Sequence, residues 1–157
     1  MELNEIKGIR LDENGMLDIP KHIKRIKFDI IYLDPPYNWR HYGAYYHILE
    51  TIVKWDNPKV EGMSGLRPWQ ESKSRYSYRN EALNALVELL KNANAEHVFL
   101  SYNNEGLIPK EEICNTLSRF GELYIEEVPY RRYKSNNSIP QENKVKERLY
   151  YVKKGKK

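Results

Sequence analysis

Phe28-Asp29-Ile30-Ile31-Tyr32-Leu33 is a nearly continuous apolar run that ends on Asp34-Pro35-Pro36-Tyr37. A run of this kind suits a parallel strand covered on both faces, the arrangement of α/β sheets. The two prolines fix the backbone and donate no N–H, so their carbonyls stay free to accept. The Asp34 carboxylate adds acceptors and Tyr37 adds a stacking surface. Ligands of open α/β sheets bind at the carboxyl ends of strands. The corner therefore suits a flat base held by its exocyclic amine. As a bare tetrapeptide it is also a proline-stiffened turn. Asn38, Trp39, Arg40, His41 and Tyr42 follow directly, and a cation among aromatics suits a base better than a core.

Around this corner the chain alternates. Asn14-Gly15, between Ile9/Leu11 and Met16/Leu17/Ile19, signals a hairpin. Residues 20–27 read as a short helix. Ala44 to Trp55 reads as a helix with Ile48, Leu49, Ile52 and Val53 on one face, stopped by Asn57-Pro58. Residues 59–79 lack periodicity and form a long loop, whose Arg67, Lys73, Arg75 and Arg79 are a candidate phosphate clamp. Asn80 can cap a helix striped with Leu83, Leu86, Val87 and Leu90. A strand follows at His97–Tyr102. The next helix carries Pro109 in its first turn, Ile113, Leu117 and Phe120 inward, and Gly121 at its end. Glu122–Tyr130 and Glu147–Lys153 read as an antiparallel pair joined by a polar loop. The order β-α-β-α-β-β gives an α/β sheet with right-handed crossovers.

With 157 residues the chain is expected to form a single domain, residues 1–157, with a real core. No apolar stretch approaches the roughly 20 residues of a membrane span. The lone Cys114 forms no internal disulfide, which fits a reducing cytoplasm. The four histidines have no metal spacing, so no metal is expected. The net charge of +4 is uneven. Residues 130–157 hold ten Lys/Arg against two Glu, while the rest holds sixteen basic against twenty acidic side chains. A basic end on an acidic body suits a polyanion such as DNA. Residues 153–157 read alternatively as a solvated basic tail. In Tyr130-Arg131-Arg132-Tyr133, aromatics alternate with guanidinium groups, which suits phosphate contacts and base stacking, with half of them on each face of a strand.

Residues 28–55 closely resemble the DPPY region of Dam-like adenine-specific DNA methyltransferases. The resemblance continues through Gly65-Leu66-Arg67, Phe99 to Leu107, Tyr130 to Tyr133 and Glu147 to Tyr151. It implies a partial class I methyltransferase (Rossmann-like) sheet with a C-terminal antiparallel hairpin, in a restriction-modification enzyme. It further implies that Asp34 and the Pro35 carbonyl hold the 6-amino group of a flipped adenine while Tyr37 stacks on the base. S-adenosylmethionine would be the methyl donor, with Asp18 at its adenine, although Asp18 equally reads as a helix cap ahead of Pro20. Arg40, Tyr102, Asn103, Asn104, Arg131, Arg132 and Tyr133 would meet DNA. Tyr102 to Glu105 read alternatively as a loop with good turn chemistry.

The chain resembles only the C-terminal half of such an enzyme: no Gly-x-Gly pair or opening motif precedes Asp34. Strand 28–33 would then lack its usual neighbour and expose an edge. The edge is expected to be covered by a complementing N-terminal polypeptide, by residues 3–19, or by a second copy. Three readings stand at this point: a methyltransferase portion that needs its complement, an inactive remnant or DNA-binding subunit, and a small interaction module with a structural DPPY turn.

Overall fold

A computed structural model describes residues 27–39, 41–70, 73–131 and 144–155; for Tyr130, Arg131 and Lys144 only the backbone is described. The expected hairpin around Asn14-Gly15, the helix over residues 20–26, and the candidates Asp18, Arg40, Arg132 and Tyr133 lie outside these residues.

Four strands form one sheet: β1 (Phe28–Leu33), β2 (Ala95–Asn103), β3 (Gly121–Arg131) and β4 (Lys144–Lys154), in the spatial order β1-β2-β4-β3. β1 runs parallel to β2, with Leu33 opposite Leu100. β4 is antiparallel to both of its neighbours. This is a mixed α/β sheet, with the expected antiparallel pair at its C-terminal side.

Helices α3 (Arg79–Asn92) and α4 (Lys110–Leu117) supply the apolar stripes that cover one face. Leu86, Leu90, Ile113 and Leu117 pack in one core cluster with Val98, Leu100, Tyr150 and Val152. Burying each such aliphatic side chain contributes about 1.5–3 kcal/mol. α3 is capped by Tyr78 rather than by Asn80, which lies inside the first turn. Gly121 starts β3 rather than closing α4 in a left-handed turn, and a Cβ there would run into the Lys153 carbonyl. The glycine thus serves the close approach of β3 to β4.

The other sheet face differs from expectation. It carries Ile30 and Tyr32 of β1, both about 60 % exposed. Phe99 and Tyr124 stack on either side of Tyr151, with centroids 4.8 and 5.6 Å from it. β1 is therefore covered on one face and open on the other, although its sequence is apolar on both. The expected helix 44–55 is two helices, α1 (Tyr42–Tyr45) and α2 (His47–Lys54), interrupted at Tyr46. Its predicted stripe exists, but Ile48, Leu49, Ile52 and Val53 are all exposed.

The long loop is partly built. Glu61 and Leu66 bridge across a turn with Gly62 and Gly65 at positive φ, and a 3-10 turn spans Arg75–Ser77. The basic tail is corrected in part. Lys153 and Lys154 belong to β4, and the Lys154 ammonium donates to the carbonyls of Leu90 and Ala93 at the end of α3. A cation there satisfies orphan carbonyls and complements the helix dipole.

Candidate active site

Because β1 and β2 are parallel, the turn after Leu33 and the turn after Asn103 emerge at the same sheet end. Asp34 is exposed and Pro35 is buried beneath it. The two turns are joined: the Leu107 N–H donates to the Tyr37 carbonyl at 2.9 Å. The Tyr37 ring meets the Tyr102 ring edge to face, with centroids 6.2 Å apart. The Tyr102 hydroxyl in turn accepts from the Ile108 N–H at 3.1 Å. Close packing of this turn needs Gly106, since a Cβ there would enter the Tyr102 ring.

These contacts correct the expectation that Tyr102 and Asn103 meet DNA directly. Tyr102 is 2 % exposed and Asn103 is 5 % exposed. The Asn103 Oδ1 accepts from the Glu105 N–H within its own turn. Alternation with Val98 and Leu100 carries the Tyr102 side chain to the helix-covered face. Both residues shape the site from below. Asn104 is exposed, with its Oδ1 accepting from the Lys146 N–H at 2.8 Å, so the turn is also pinned to β4.

Beyond Tyr37, Trp39 is exposed and Tyr42 sits near the corner. Partial burial, with the adjacent Tyr37 and Asp34, pushes the Tyr42 phenol above its ordinary value. Three cations of the candidate phosphate clamp are engaged within the chain. Arg67 is buried and its guanidinium grips both carboxylate oxygens of Asp56, at 2.6 and 3.3 Å. Arg75 pairs with Glu88 and Glu81. Lys73 lies 5.2 Å over the Trp69 ring. At the hairpin, Glu127 binds Lys146 and Arg148, both at 2.7 Å, and these hydrogen bonds pull its carboxyl down to about 2.

One cavity, of about 980 Å³, lies at the opposite sheet end, near Lys27 and Lys154. A second, of about 730 Å³, is lined by Pro36 but not by Asp34 or Tyr37. The cluster of His41, Trp69 and Ser77 in that second cavity was not foreseen as a unit. Its members are distant in sequence and follow no motif spacing.

A family model described as D12 class N6 adenine-specific DNA methyltransferase matches residues 13–116, well over half of the chain. The chain belongs to this family. The chain is 43% identical over 135 residues to "Type II methyltransferase M.FokI" of Planomicrobium okeanokoites, covering 84% of this chain and 21% of that protein. It is 38% identical over 138 residues to "Modification methylase StsI" of Streptococcus sanguinis, covering 86% and 21%. To "Type II methyltransferase M.NlaIII" of Neisseria lactamica it is 36% identical over 135 residues, covering 86% and 40%. The chain therefore spans about a fifth to two fifths of the length of these relatives. No solved structure matches it. No helix among the described residues is long and apolar enough to cross a membrane.

Proposed function

We propose that this chain is the target-base side of a site-specific adenine DNA methyltransferase of the restriction-modification type. Its product would be N6-methyladenine in DNA, with S-adenosylmethionine as the methyl donor. The observation that carries the reading is the exposed Asp34 carboxylate over a buried Pro35, braced through Tyr37 by the turn after β2. Asp34 and the Pro35 carbonyl would accept from the 6-amino group, which would orient the nitrogen lone pair towards the methyl group of the donor. Tyr37 would stack on the extruded base and offset part of its unstacking cost. Holding the amine in line supplies most of the rate, because orientation alone removes a large share of a bimolecular barrier.

The seat of the methyl donor is assigned mainly outside the described residues, with Asp18 as the candidate for its adenine. No step is routed through it. Arg40, Arg131, Arg132 and Tyr133 are proposed for phosphate and base contacts, and Asn104 for the rim of the target pocket. The sheet is proposed to follow the class I methyltransferase order. That reading rests on the parallel β1-β2 pair flanked by an antiparallel β4-β3 pair.

The apolar side chains of Ile30, Tyr32, Ile48, Leu49, Ile52 and Val53 lie open to solvent. Exposed apolar surface of this sort marks an interface. We assign it to a complementing N-terminal methyltransferase polypeptide, with a second copy of the chain as the alternative cover. The test is transfer of labelled methyl groups to duplex DNA, by the chain alone and with a cofactor-binding half from a relative. Labelled N6-methyladenine formed only, or far faster, in the mixture supports the reading. Its absence under both conditions counts against it.

A further inference from the structure

The cleft of about 730 Å³ beside the Asp34 corner has the size of a small-ligand site, roughly 300–1,000 Å³. Pro36 forms its lip next to the proposed target-base position. Two buried polar atoms in its wall, Nδ1 of His41 and Oγ of Ser77, have no hydrogen-bond partner among the described residues. Ser77 is only 5 % exposed. Buried polar groups are nearly always paired, so two orphans in one cleft point to a group that enters it.

The walls are aromatic and fixed. His41 stacks on Trp69 with centroids 4.9 Å apart, and Tyr78 leans on it at 5.6 Å. Lys73 lies over the same Trp69 ring. The imidazole is thereby held in place. Tyr42 and Tyr46 stack on each other within 7°, with centroids 5.8 Å apart, and are both about half exposed, which leaves ring surface for a planar guest. The charges along the cleft are largely spent on one another. Arg67 grips Asp56, and Lys54 lies 3.7 Å from Glu50. Partial burial and the Lys73 ammonium lower the His41 pKa, so the ring is neutral at pH 7. A neutral imidazole and a hydroxyl can each donate or accept, which matches the mixed edge of a nucleobase and suits a phosphate poorly.

We propose that this cleft takes a nucleobase other than the target adenine, stacked on Tyr42 or Tyr46 and hydrogen-bonded at its edge by His41 Nδ1 and Ser77 Oγ. The proposal rests on the methyltransferase reading for its occupant, a DNA base beside the target. Free adenine nucleosides, including that of the methyl donor, present the same chemistry.

The probe is a single-stranded oligonucleotide with one 2-aminopurine, whose fluorescence is quenched by stacking, compared with 2-aminopurine riboside. The intact chain should quench the oligonucleotide probe, binding it at least tenfold more tightly than the riboside. Ser77→Ala should weaken binding about three- to tenfold, the worth of one hydrogen bond. Tyr46→Leu should weaken it about tenfold. Glu112→Ala, exposed on α4 and outside the cleft, should leave it intact. The Ser77 hydroxyl has no hydrogen-bond partner among the described residues, so Ser77→Ala should also leave the urea midpoint unchanged or raised, whereas a structural role would lower it.

Wild-type binding by Ser77→Ala and Tyr46→Leu, or no quench of either probe, would overturn the proposal. Quench of the riboside alone, competed by S-adenosylmethionine, would overturn the DNA-base assignment. Quench of the oligonucleotide without methyl transfer by the assembled enzyme supports the cleft and counts against the proposed function. Methyl transfer without quench overturns the cleft alone.

Discussion

Tyr102 meets the ring of Tyr37 edge to face at an interplanar angle of 77°, from a position beneath the protein surface. The residue that would stack on the target base is thus braced by one buried on the next strand. Tyr102→Phe keeps the ring contact but leaves the Ile108 N–H without its acceptor, a loss of about 1–3 kcal/mol. Tyr102→Ala removes the brace as well and should cost about 3–5 kcal/mol. Urea denaturation measures both. In the assembled enzyme, Tyr102→Phe should retain most of its turnover, because Tyr37 stays supported.

Arg67 lines the cleft paired with Asp56 rather than serving as a phosphate ligand. Arg67→Ala should destabilise the chain by about 1–3 kcal/mol, less than a fully buried pair because Asp56 is partly exposed. Arg67→Lys should not restore it, since an ammonium cannot grip both carboxylate oxygens. The slope of DNA affinity against salt should be the same in Arg67→Ala as in the wild type, because a guanidinium already paired releases no counterion. Thermal melts and a salt titration check the two halves of this prediction.

Gly121→Ala should destabilise although the φ of Gly121 is not left-handed. The added methyl meets backbone, the Lys153 carbonyl, which cannot swing aside. The expected cost is about 1–3 kcal/mol, as for overpacking elsewhere. A chemical melt that coincides with the wild type would contradict the close approach.

Glu127 predicts a pH dependence. Its carboxyl falls from the ordinary 4.5 to about 2 because Lys146 and Arg148 donate to it. A depressed acid stabilises the fold above its unfolded pKa and loses that contribution as pH falls through the folded one. The stability gap between wild type and Glu127→Gln should therefore be full above about pH 5 and shrink between pH 4.5 and 2. Thermal midpoints across that range provide the check, and a gap that stays constant would contradict the pairing.

The parts legible in the sequence were those written in local periodicity. The apolar run 28–33 with its prolines gave a strand and its end, and the stripes of α3 and α4 gave their inward faces. The same alternation that set Val98 and Leu100 inward also implied a buried Tyr102, but the neighbouring Asn103-Asn104 suggested a surface loop. The stripe of Ile48, Leu49, Ile52 and Val53 was legible as a pattern, whereas its exposure was not, because periodicity does not say what covers a face. Partners far apart in sequence were illegible. Asp56 with Arg67, and His41 with Trp69, follow no local rule and meet only through the turn at Gly62 and Gly65.

Methyl transfer to adenine by the assembled enzyme, compared between wild type and Asp34→Ala, tests the central claim most directly. Asp34 is exposed, so the substitution should leave folding intact. The account predicts a fall in the rate of N6-methyladenine formation of about a hundredfold or more, the cost of losing alignment at the reacting nitrogen. An unchanged rate from a folded Asp34→Ala chain would contradict it.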